Sequence, residues 1–229
     1  MEPNLSKTTA QKLYEQLIRK ITFRKALAVI LGNSILGIGA AGLRFSLMGN
    51  EPYTASNMAI SDGLHMGLGN YQLMINILLL IIQLIFGRSY IGFGSIVNMC
   101  FLGYIVQFSG FVMELLLKSA AGFSLFQKLI FMLVSLVILS LGVSMYQTAD
   151  LGVAPYDYLA LGMTDRFPTP YFINRVITDG ICVLIIVIAV LSHFLTWETS
   201  HLGIGTVLGA FFLGPLINLF TKWNKRWIR

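Results

Sequence analysis

The chain has 229 residues, of which 56% are hydrophobic and only 11% charged, with mean hydropathy +0.76. A soluble domain carries about 25% charged residues to wet its surface, so this composition argues against an ordinary soluble enzyme and against a disordered tail. The net charge of +6 does not point to nucleic acid, because the basic residues gather at the ends of apolar runs, and the expected partner is the lipid bilayer.

Residues 1–25 form a polar leader. Leu13, Leu17 and Ile21 recur at helical spacing, which predicts an amphipathic helix from Leu5 to Lys25 along the cytoplasmic leaflet, with a solvated leader as the alternative. The first apolar run covers 26–43. Its small residues Gly39 to Gly42 resemble a cleavage site, but the polar segment ahead of it is long for a signal peptide, so the run is read as a retained span. A short apolar stretch, Pro52 to Ser61, follows, and then runs at 71–86, 91–117 and 129–145. A second short stretch, Pro155 to Thr164, precedes runs at 171–191 and 204–220. A hydrocarbon core takes about 20 apolar residues per helix, so six spans are expected within one all-α membrane domain over 26–221, followed by a basic tail at 222–229.

Orientation follows from Lys and Arg in short loops. One side carries 12 of them, including Arg24, Lys25, Arg88, Arg166 and Lys222, and the other carries Arg44, Lys118 and Lys128. Both termini are therefore expected in the cytoplasm, with Trp223 and Trp227 as interfacial anchors.

The chain also resembles itself. Gly49-Asn50-Glu51-Pro52-Tyr53 and Gly152-Val153-Ala154-Pro155-Tyr156 share G-x-x-P-Y at an offset of 103. Asn76 meets Asp179 and Gly39 meets Gly142 at the same offset. Ile91-Gly92-Phe93-Gly94-Ser95 then meets Leu202-Gly203-Ile204-Gly205-Thr206 at an offset of 111, the difference being one longer loop around His193 to His201. Each unit, about 26–117 and about 125–221, holds three spans. An odd number makes the second unit enter the bilayer from the opposite side, so the expected fold is two inverted three-helix repeats with a short half-helix after the first span of each. Many secondary transporters use this plan.

These paired motifs resemble the YczE/YyaS/YitT group of bacterial integral membrane proteins, most of all its YczE branch. The second half matches better, while the first departs at Glu51, where Ala154 stands in the repeat, and at Ser95, where Thr206 stands. The resemblance covers about residues 26–221 and implies a bacterial cytoplasmic-membrane protein. It brings no substrate with it.

Several residues are candidates for chemistry. Pro52 and Pro155 suit the first turn of a helix, where a missing N–H costs nothing. If the short helices re-enter the bilayer, their N-termini offer free N–H groups to an anion, with Tyr53 and Tyr156 beside them. A connecting loop with belt tyrosines is the other reading. Asp179 lies inside the fifth span, four residues after Arg175, and Gln72 and Asn76 hold the matching positions in the first half. An intramembrane carboxylate is costly and faces the bundle interior with a partner. Asp179 is therefore read as a substrate- or proton-coupling group, or as one member of a structural pair with Arg175.

Gly92, Gly94, Gly203, Gly205 and Gly209 are expected to let helices approach closely, because they lack the context of a nucleotide loop. Asp62 and Asp165 end the short helices, as gate or cap residues or as solvated acids, and Glu114 is read as an interfacial acid. Asn98, Gln107 and Asn218 are candidates for bonds between helices. Cys100 and Cys182 are read as structural thiols, and no cofactor, metal site or enzymatic activity is expected. Three readings stay open. The first is a small-molecule transporter or exporter with its site between the halves. The others are an accessory protein that packs against a membrane partner, or against a second copy, and a substrate-capturing subunit of an uptake system. A polar cavity holding Asp179 would favour the first, and a filled core there the second.

Overall fold

A computed structural model describes residues 21–118, 120–194 and 202–228. The described residues form eight helices: α1 Phe23–Phe45, α2 Pro52–Gly63, α3 Leu68–Phe86, α4 Phe93–Leu117, α5 Leu125–Thr148, α6 Pro155–Arg166, α7 Tyr171–Leu191 and α8 Ile204–Ile228. All but α2 and α6 are long and apolar enough to cross a membrane. The fold is all-α, with no strand among the described residues. Most of the leader lies outside the described residues, as does most of the loop before α8. The expected tail is not separate, because α8 runs on to Ile228 and takes up Lys222, Lys225 and Arg226.

The centre is a crossing of α1 and α5 that only small residues permit. A Cβ on Gly39 would sit 2.5 Å from the Leu139 backbone nitrogen, and one on Gly142 would sit 2.3 Å from that of Leu36. Here 36 pairs with 142 and 39 with 139, so the two helices run antiparallel. α4 lies along α1, where Asn98 Nδ2 donates to Asn33 Oδ1 at 2.7 Å, and α8 lies along α5. Outward faces carry Ile85, Phe108, Phe111, Leu133 and Ile188, which are exposed in the chain and meet lipid.

The short helices depart from a simple connection. After α1 the chain turns back toward the bundle centre, where Asn50 Nδ2 donates to the Ala40 carbonyl at 2.8 Å. α2 then returns outward, and Asp62 at its end pairs with Arg44 at 3.0 Å. Proline at the first position starts both short helices. α2 packs on α7, and α6 packs on α3.

The turns ahead of α2 and α6 share a backbone path. Leu47 and Asp150 have φ of 58° and 53°, and Gly49 and Gly152 have φ of 99° and 107°. Each turn docks on the start of a distant helix. Gly94 N–H donates to the Leu151 carbonyl at 2.7 Å, and Gly205 N–H donates to the Met48 carbonyl at 2.6 Å. Ser95 Oγ accepts from Gly92 N–H, and Thr206 Oγ1 accepts from Gly203 N–H, both at 3.2 Å. A Cβ on Gly92 or Gly203 would lie 2.1 or 2.3 Å from the facing carbonyl oxygen.

Packing differs between the two ends of the chain. α3 packs along α4, with Gly103 against Gln72 and Gly69 against Tyr104, whereas α7 does not pack along α8 in this way.

Candidate functional site

The crossed turns bring the first residues of α2 and α6 together. The Tyr53 and Tyr156 rings stack at 4.0 Å with 9° between their planes. Each hydroxyl donates to the spanning helix 23 residues downstream: Tyr53 to Asn76 Oδ1 and Tyr156 to Asp179 Oδ1, both at 2.6 Å. A 12-residue helix next to an antiparallel span sets that reach, and it recurs in both halves.

Arg175 organises the charged groups. Its Nε lies 3.2 Å from Asp179 Oδ1, one helical turn on, and its Nη1 lies 2.5 Å from Asp157 Oδ1 on α6. Its guanidinium also sits 4.8 Å above the Tyr156 ring, within cation–π range. Asp157 accepts a second bond, from Tyr146 Oη of α5 at 2.7 Å, and Tyr146 Oη in turn accepts Ala154 N–H at 3.1 Å. Arg175 Nε also donates to Asp179 Oδ2 at 3.3 Å, so every carboxylate oxygen of Asp157 and Asp179 meets a donor, as a largely buried charge requires.

The start of α2 corrects one expectation. Its N-terminus is not open to an outside anion, because Glu51 fills it: Oε2 accepts Tyr53 N–H at 2.9 Å and Oε1 accepts Thr54 N–H at 2.8 Å. Ala154 stands in that place ahead of α6 and supplies no side-chain cap. Pro52 and Pro155 occupy the first position of each helix and are buried.

A cavity of about 1100 Å³ lies between α7 and α8. Glu51, Tyr53, Tyr156, Arg175 and Asp179 line its inner part, and Gln147, Tyr171 and Asn218 line it toward one end of the bundle. Its walls are mostly apolar, with Leu36, Leu139, Val183 and Phe211 among them. The charged groups present are three carboxylates and one guanidinium. A smaller cavity of about 350 Å³ beside Gly92 and Gly152 shares Gln147, Asp157 and Tyr171 with it.

The remaining candidates fall elsewhere. Gly92, Gly94, Gly203 and Gly205 line the two crossed turns. Gly209 does not make the expected close approach: a Cβ there would lie 3.9 Å from Glu51, and the residue borders the cavity instead. Asn218 also borders the cavity, while Gln107 Oε1 accepts Gly69 N–H at 3.1 Å between α4 and α3. Asp165 accepts from Tyr90 at 3.2 Å in the turn between α3 and α4, and that bond, aided by partial burial, holds the phenol above its usual pKa. Asn174 ties the start of α7 to Thr164 and Thr169. Cys182 is buried 3.6 Å from Tyr156 Oη, and both cysteines are free. Among the described residues, no group of three His, Cys, Asp or Glu side chains gathers as a metal site.

Glu51, Asp157 and Tyr146 are site residues that the sequence reading passed over. Asp157 had a signal, an acid directly after the second P-Y pair. The other two look like a loop acid and a core aromatic until the fold joins them.

The profile of DUF6198, described as a family of unknown function, matches residues 23–222. An uncharacterized protein of Haemophilus influenzae is 26% identical over 200 residues, covering 86% of this chain and 83% of its own. Two Bacillus subtilis proteins are also similar. The uncharacterized membrane protein YczE is 22% identical over 204 residues, 89% of this chain and 86% of its own. The uncharacterized protein YyaS is 26% identical over 195 residues, 83% and 89%. No solved structure matches the chain significantly.

Proposed function

For this chain, which belongs to the DUF6198 family together with YczE- and YyaS-like proteins, we propose the function of a small-molecule transporter built from two inverted halves, about 26–117 and 125–221. The observation that carries this reading is the cavity between α7 and α8, which holds Asp179, Arg175, Asp157 and Glu51 beside the stacked tyrosines. An accessory protein needs no such space. The paired contacts support the inversion: the α1–α5 crossing, the crossed turns and the two tyrosine bonds each recur about 103 residues apart. Half-helices whose N-termini meet near mid-depth are a common transporter device. The loop charges support cytoplasmic termini, which put the cavity residues Gln147 and Tyr171 on the cytoplasmic side.

In this reading Tyr53, Tyr156, Arg175 and Asp179 surround the solute, Asn76 holds the Tyr53 hydroxyl from behind, Pro52 and Pro155 start the helices that present the tyrosines, and no catalytic step takes place. Three carboxylates against one guanidinium leave the cavity short of positive charge, which bound protons or a cationic solute would balance. The test is thermal stabilisation of the purified protein across a metabolite panel, followed by uptake of each hit into proteoliposomes. A transporter gives at least one compound that raises the melting temperature and is carried, and Asp179→Asn abolishes the carriage without unfolding the chain. If no compound acts on either assay, the reading is wrong.

A further inference from the structure

The seam between α3 and α4 is shut over polar atoms that have no partner among the described residues. Gln72 and Asn76 are each about 1% exposed. Neither amide atom of Gln72, nor Nδ2 of Asn76, has a hydrogen-bond partner among the described residues. Buried polar groups are almost always paired, so an amide left unpaired at the heart of a bundle calls for an explanation.

The second half provides one. At the offset of 103, Gln72 and Asn76 correspond to Arg175 and Asp179, which line the cavity. At the offset of 111, Gly103, Tyr104 and Gln107 of α4 correspond to Gly214, Pro215 and Asn218 of α8, which also line it. A Cβ on Gly103 would meet Gln72 Oε1 at 2.9 Å and Gly69 Cα at 3.0 Å, whereas one on Gly214 would meet nothing within 4 Å. The closed seam is latched where the other gapes: Gly69 N–H donates to Gln107 Oε1 at 3.1 Å, and Tyr104 Oη donates to Asn70 Oδ1 at 2.7 Å.

We propose that the α3–α4 seam is a second half-site, closed here, which opens to the opposite face of the membrane as α7 closes on α8. Gln72 and Asn76 then bind the uncharged hydrogen-bonding part of the solute and its water, while Arg175 and Asp179 hold the charged part. This rests on the transport reading. The polar part of the latch is light, one neutral bond from Tyr104 and one from a backbone amide, on a seam with glycine at 67, 69 and 103 and with buried Leu68, Leu102 and Val106. The open form is then a minor state in the general range of such two-state equilibria, of the order of 0.1–10% of molecules.

The test uses the full chain in proteoliposomes, with Cys100→Ala and Cys182→Ala, and a membrane-impermeant thiol reagent, the trimethylammonium-ethyl methanethiosulfonate, on one face at a time. Asp179→Cys should react from the face toward which Gln147, Tyr171 and Asn218 lie. Asn76→Cys should react from the other face, at about 0.1–10% of that rate, the share of the minor state. Tyr104→Phe should raise the reaction at 76 roughly two- to tenfold, the factor one neutral hydrogen bond is worth. If Asn76→Cys does not fold, Gln72→Cys carries the same test. A thiol at 76 that is inert from both faces while that at 179 reacts overturns the inference, as does reaction of both from one face. If position 179 is also inert from both faces, the transport reading falls with it. If the two positions react from opposite faces and uptake assays find no solute, the transport reading falls alone and the opening seam stands.

Discussion

Alanine at Gly92 tests whether the crossed turns hold the short helices in place. Gly92 has φ of −157°, extended backbone that any residue adopts, so the effect of a methyl group there is steric. That carbon would lie 2.1 Å from the Leu151 carbonyl oxygen, where ordinary contact begins at 3.4 Å. The turn must retreat by more than an ångström. The oxygen it pushes on is the acceptor for Gly94 N–H, and the neighbouring Val153 N–H bond to the Tyr90 carbonyl, 2.9 Å long, moves with it. Two backbone bonds at about 1 kcal/mol each, with an overpacking cost of about 1–3 kcal/mol partly relieved by their loss, give a destabilisation of roughly 2–4 kcal/mol. Gly203→Ala should cost the same, because its carbon would lie 2.3 Å from the Met48 oxygen that accepts Gly205 N–H. Gly110→Ala is the control, with nothing within 4 Å of its added carbon. Reversible unfolding in mixed micelles, followed by tryptophan fluorescence, measures all three. Gly92→Ala unfolding at the same detergent fraction as Gly110→Ala would refute the idea that these turns are docked tightly.

Two further outcomes concern the charged cluster. Arg175→Leu leaves Asp157 and Asp179 without their cation and should cost about 3 kcal/mol, the low end for a buried pair because the three side chains keep 16–23% exposure. Adding Asp157→Asn and Asp179→Asn should return most of that, and thermal unfolding of the single and triple variants checks it. Tyr156→Phe removes a bond to a carboxylate and should cost about 1.5–3 kcal/mol, against about 0.5–1.5 kcal/mol for Tyr53→Phe, whose hydroxyl meets an amide. Equal losses in the same unfolding assay would refute a stronger bond at Tyr156 than at Tyr53.

Much of this fold could be read from the chain alone, and the reason is local. The six spans are a matter of hydropathy, and the short helices announce themselves by proline at their first position after glycine. Asp179 and Arg175 share one helix, so a spacing of four residues was enough to join them. Glu51, Asp157 and Tyr146 come from three different segments, and no spacing links them to Arg175. Gly209 looked like a packing glycine because its neighbours were, yet it borders the cavity at ordinary contact distance from Glu51.

What the sequence determined by itself was where the chain is apolar, which residues repeat and which charges were kept inside. Those are properties of single segments and of fixed offsets between them. Only the tertiary structure decided that the two tyrosines stack, that Glu51 closes the helix end left free for an anion, and that one seam is shut while its counterpart gapes. Two segments with matching sequences have the same contacts available to them, and helix packing selects which of the two makes them.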